Sequence, residues 1–193
     1  MLRRTVLLAT LCLVCAVWAG AQEAPMETGP SQEIKDMAQV LTGEFDVEFE
    51  YRWDPTKDWQ KTTGEASVYP VLDGSAIQMD FSAVIDGMKF KGRNVLTYHR
   101  GLGKWRESWV DNMSASLTMY EGSYEDGVLV TAGTNVVQGM TMHFRSTVKP
   151  NKKGFTWKQE MSMDGESYME AAKATYTRRS ADSGAEDEDE GGW

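Results

Sequence analysis

The chain has 193 residues, 41 % of them hydrophobic and 25 % charged, with a net charge of −9. That length can bury a core without disulfide staples. The acidic balance offers no cationic footprint for nucleic acid or for anionic lipid.

Arg3 and Arg4, the apolar run 6–17 and the small residues Ala19-Gly20-Ala21 predict a secretory signal over residues 1–21, cleaved after Ala21. The run is too short to span a bilayer, and no later segment is long and apolar enough, so no membrane insertion is expected. The product should be secreted or periplasmic. Both cysteines, Cys12 and Cys15, lie in the signal, and Leu11 and Val14 before them are too large for a lipid-attachment site. The remaining chain has no cysteine, which excludes disulfides, thiolate catalysis and Cys-based metal sites. It carries 18 basic and 29 acidic side chains, a net of −11 once Arg3 and Arg4 are removed.

Residues 22–30, with Pro25, Gly29 and Pro30, read as a linker. Ser31 can cap a short helix whose Ile34, Met37, Ala38 and Leu41 share one face, as suits a lid on a barrel end. An unbroken series of β-patterns follows. Phe45, Val47, Phe49, Tyr51 and Trp53 alternate with Glu44, Asp46, Glu48, Glu50 and Arg52. Ile77, Met79, Phe81, Ala83 and Ile85 repeat the alternation. Asp73-Gly74, Asp86-Gly87 and Asp126-Gly127 are hairpin turn signals. The expected fold is all-β: an antiparallel up-and-down barrel of about ten strands over residues 31–179, with the short helix at its N-terminal end. Residues 180–193 hold six acids and no base, and read as a disordered acidic tail.

Two hairpins can be put in register from their turns. With the first turn at Arg100–Gly103, Tyr98 opposes Trp105, Leu96 opposes Glu107, Asn94 opposes Trp109, Gly92 opposes Asp111 and Phe90 opposes Met113. The other face carries Lys89, Lys91, Arg93, Lys104 and Arg106 and must be outside. Asn94, Tyr98, Trp105, Glu107, Trp109 and Asp111 are therefore candidate ligand-binding residues, with Gly92 expected to leave space beside Asp111. The two acids are either satisfied by rim water and hydrogen bonds or line a pocket that raises their pKa. In the second hairpin, a turn at Pro150–Lys153 sets Met140 against Met163, Met142 against Met161, Phe144 against Gln159 and Val148 against Phe155. Met140, Met142, Met161 and Met163 then cluster inside, as core filler, as an adaptable apolar ligand wall or as a Cu(I) thioether site.

The only histidines are His99, in a turn, and His143, on an outward face; neither suits haem or a clustered metal. No nucleophile, P-loop, dinucleotide or zinc-hydrolase motif is present. No catalytic residue, metal or cofactor is expected. The inward faces assigned above carry no base to pair with a fatty-acid carboxylate, which favours a neutral apolar or a cationic ligand.

Leu41-Thr42-Gly43-Glu44-Phe45 resembles the Leu-x-Gly-x-Trp opening of calycin barrels. Gly92-Arg93, Tyr98, Lys104-Trp105, Trp109-x-Asp111-x-Met113-Ser114, Glu121-Gly122 and Tyr124 resemble the bacterial family termed domain of unknown function 1579, over about residues 33–178. The resemblance implies a lipocalin-like barrel and no established activity. The wider calycin group includes haem-binding nitrobindins, whose axial histidine has no match here. Three functions follow as expectations: a binding module for a small apolar ligand, an enzyme using Glu107 or Asp111 as acid or base, and an interaction protein with a solid barrel and a docking tail.

Overall fold

The computed structural model describes residues 28–180. The expected signal, most of the expected linker and the acidic residues beyond Ser180 lie outside the described residues.

The first element is the helix α1 (Gln32–Leu41). Ser31 caps it: its hydroxyl oxygen accepts from the Ile34 amide at 3.3 Å, worth about 1 kcal/mol over alanine. Ile34, Met37 and Leu41 are buried on the face that the spacing predicts. A ten-residue helix is marginal alone, so this burial, about 1.5–3 kcal/mol per side chain, holds it in place.

Ten strands follow: β1 (Gly43–Tyr51), β2 (Gln60–Val71), β3 (Ala76–Ile85), β4 (Met88–His99), β5 (Lys104–Asp111), β6 (Thr118–Glu125), β7 (Val128–Val137), β8 (Met140–Asn151), β9 (Gly154–Ser162) and β10 (Met169–Arg178). Each pairs antiparallel with its sequence neighbours, and β1 also pairs with β10, closing the barrel. The Asp73-Gly74, Asp86-Gly87 and Asp126-Gly127 turns all take positive φ at both positions, the backbone that matches the twist of two-residue hairpins.

The barrel has two unlike ends. The 72–75, 100–103, 126–127 and 152–153 turns surround the end that α1 covers. There Phe155 stacks on Tyr176 at 4.2 Å, and Phe45 meets Phe155 edge-on at 5.2 Å. Such pairs add about 0.5–1.5 kcal/mol each beyond area burial. The connections at the other end, 52–59, 86–87, 112–117, 138–139 and 163–168, leave it open. The outer wall carries the ion pairs, such as Arg93–Asp80 at 2.6 Å and Arg106–Glu121 at 2.8 Å.

Gly122 and Gly133 set the curvature beside the interior. A Cβ on Gly122 would run into the Val130 carbonyl, and one on Gly133 into the Met119 carbonyl. Bare backbone at both positions lets β6 curl tightly between β5 and β7. Gly122→Ala should therefore lower stability by about 1–3 kcal/mol in urea denaturation. An unchanged midpoint would mean that the strands can separate there at no cost.

Candidate functional site: a cavity with a buried carboxyl

A cavity of about 550 Å³ runs from Leu41 of α1 to Trp53 and Met113 at the open end. It has three levels. The floor is apolar, with Leu41, Val68, Leu96, Leu129 and Phe155. A polar belt of Asn94, Glu107, Tyr120, Ser146 and Gln159 lies above it. Towards the mouth come Phe90, Trp109, Phe144 and the Asp111 carboxyl. Exposed Trp53, Met88, Leu117, Val137, Met140 and Met163 surround the opening.

The first hairpin has the predicted register from Gly92↔Asp111 to Tyr98↔Trp105, and the basic face lies outside. Asn94, Glu107, Trp109 and Asp111 all line the cavity. Tyr98 and Trp105 do not. They share the inward face but sit nearer α1, where their rings meet at 5.2 Å and Tyr98 hydrogen-bonds Glu33. The space expected beside Gly92 is filled: the Trp109 indole lies where a Cβ would go and stacks on Phe90 at 6.2 Å. Met113 lies past the end of β5 and is exposed, so it does not pair with Phe90.

The two acids differ. Asp111 sits at the rim and organises the 112–117 loop. Its oxygens accept from the Trp109 indole at 2.9 Å and from the Met113 and Ser114 amides at 2.9 and 2.6 Å. Glu107 is only 7 % exposed. Asn94 Nδ2 donates to one of its oxygens at 3.1 Å and the Thr131 hydroxyl to the other; Ser146 is a third partner. Glu107 reaches Thr131, two strands away, because Gly122 and Gly133 let the wall curl. Burial pushes its carboxyl above the ordinary value, while these three hydrogen bonds pull it down. The Tyr120 hydroxyl accepts from Gln159 Nε2 at 3.1 Å, and burial followed by the Glu107 charge raises its pKa.

The second hairpin is offset by two residues from expectation. Its turn is only Lys152-Lys153, since Asn151 pairs with Gly154 and β8 runs through Pro150. Val148 then opposes Trp157, Ser146 opposes Gln159 and Phe144 opposes Met161. A two-residue shift keeps every side chain on its face but slides it along the barrel. The methionines end at the mouth: Met140 is 49 % and Met163 68 % exposed, and none of the four, including Met142 and Met161, lines the cavity. Trp157, Ser146 and Gln159 take the places inside. Gln159 keeps the inward face expected of it but now opposes Ser146, while Trp157, Ser146, Tyr120 and Thr131 are the interior polar groups that sequence reading missed. The inward parity of Leu129 and Val148 could have assigned Thr131 and Ser146.

His99 is the last residue of β4 rather than part of the turn, and caps the 100–103 turn: its Nδ1 accepts from the Leu102 amide at 3.2 Å. His143 is on the outer wall against Gly165. Among the described residues no three His, Cys, Asp or Glu side chains form a group able to hold a metal ion.

A family model described as "Protein of unknown function (DUF1579)" matches residues 30–178. The chain belongs to that family. DUF1579 membership spans the whole described barrel and α1. Among solved structures, that of Rv2717c from M. tuberculosis is similar, at 12 % identity and a TM-score of 0.61, covering 79 % of this chain and all of that one. At that identity the likeness supports the barrel fold alone. No curated protein matches the sequence.

The Glu107 shift has a direction that can be tested. Its folded pKa lies above an ordinary value of 4.5, so the folded state holds the proton more tightly. Stability is therefore lost as pH rises from about 4.5 through the folded pKa. Thermal unfolding of Glu107→Gln should lose this component, so the variant's stability relative to wild type should improve across that window. A difference that is flat with pH would mean that Glu107 does not titrate there.

Proposed function

We propose that this DUF1579 protein is an exported β-barrel that binds a small, mainly apolar ligand in its interior. The observation that carries the reading is the hollow beneath the open mouth. Its volume lies within the roughly 300–1,000 Å³ range of small-molecule sites, and its walls are mostly aliphatic and aromatic with a few convergent polar groups. The hollow weighs against the alternative of a solid barrel acting through its surface. Export rests on the sequence of residues 1–21, with its basic pair, apolar run and small-residue cleavage site. A buried carboxyl could also act as a general acid or base, and Glu107 favours that second reading. Asp111 is committed to Trp109 and the loop amides, so the reading rests on Glu107 alone.

The full chain, expressed with its own N-terminus and recovered from a bacterial periplasm without denaturation, should bind the neutral dye N-phenyl-1-naphthylamine saturably. Energy transfer from Trp109 and Trp157 should accompany binding. Met79→Trp combined with Val148→Phe fills the cavity with two larger apolar side chains. This variant should keep cooperative unfolding and lose dye affinity by about tenfold or more. Equal affinity in the filled variant would put the dye outside the barrel and overturn the reading.

A further inference from the structure

The polar belt indicates which apolar molecules the cavity can take. Glu107, with Asp111 at the mouth, presents an acid to a space otherwise bounded by apolar, aromatic and neutral polar groups. Among the described residues, no Lys, Arg or His lines it. The five bases of β4 and β5 are on the outer wall, where Arg93 pairs with Asp80 and Arg106 with Glu121. Glu107's protein partners, Asn94, Thr131 and Ser146, are all neutral donors. Any charge that develops on the carboxyl is therefore solvated but not neutralised. Asp111 adds a second carboxyl to the lining, at the mouth.

A carboxylate ligand would bring a like charge into this low-dielectric space with no cation to meet it. A protonated amine meets the opposite situation. It supplies the missing counter-charge, and its approach favours the ionised form of Glu107. Its N–H groups have acceptors in the belt, in the side-chain oxygens of Asn94, Tyr120, Ser146 and Gln159. The apolar floor below the belt has room for a hydrocarbon tail.

We propose that the cavity is a site for an apolar molecule bearing a protonated amine, with the ammonium beside Glu107 and the tail on the floor beneath it. The proposal rests on the cavity-binding reading and narrows it to one ligand class.

A matched series separates the two. Dodecylamine, dodecanol and dodecanoate share one tail, and each can displace N-phenyl-1-naphthylamine from the full chain at neutral pH, below the concentration at which it aggregates. Dodecylamine should displace the dye at concentrations lower by about tenfold or more than either of the others. In Glu107→Gln the ratio of amine to alcohol affinity should collapse towards one. Equal displacement by all three in the wild type would overturn the amine assignment and leave a cavity that binds apolar ligands without regard to charge. Retention of the amine preference in Glu107→Gln would overturn the role of that carboxyl. A dye that never binds would instead remove the cavity reading on which the proposal stands.

Discussion

Phe45–Tyr51 of β1 hydrogen-bond to β2 on one side and to Ala172–Arg178 of β10 on the other, so the sheet has no free edge. That closure constrains the rest of the molecule. With every strand paired on both sides, the backbone is satisfied within the wall and no strand edge is left to template pairing with another chain. The alternating pattern then has only one place for its apolar face. Ten strands enclose more volume than their own side chains fill, and the surplus gathers away from the capped end. Phe45, Phe155 and Tyr176 fill the space beneath α1, and the hollow begins where their rings end.

Within that hollow, Glu107 is expensive. A carboxyl taken out of water costs several kcal/mol unless hydrogen bonds or a counter-charge offset it. The barrel supplies the first through Asn94, Thr131 and Ser146, drawn from three strands. The Thr131 contact depends on two glycines that curl β6, so the wall's curvature and the satisfaction of the carboxyl are one arrangement. A group placed at such cost and left facing open volume is better explained by what enters that volume than by the stability of the fold.

The first hairpin was legible because its turn chemistry is unambiguous. Gly103 takes the left-handed conformation at the end of the turn, and the five bases assign the outer face. Register then follows, and with it the inward positions of Asn94, Glu107, Trp109 and Asp111. The second hairpin was not legible to the same depth. Pro150, Asn151, Lys152, Lys153 and Gly154 are all turn-compatible residues, and the sequence does not say that the strand continues through Pro150. Parity survived because the offset is two residues, but the height along the barrel did not. The methionines therefore belong to the mouth. The depth of Tyr98 and Trp105 was equally invisible, since periodicity assigns a face and says nothing of how far a side chain lies from the cap.

By itself the sequence determined the all-β class, the strand count, the capping helix and the side of the wall on which most residues fall. These depend on local rules: a period of two, turn dipeptides with positive φ, and a capping serine before an apolar stripe. Tertiary structure decided which end is filled and which is open. It decided that Trp109 rather than empty space covers Gly92, and that Thr131 and Ser146 meet Glu107 across strands far apart in sequence. Those outcomes depend on closure, on tilt and on the curl at Gly122 and Gly133, which bring together side chains that no spacing along the chain relates.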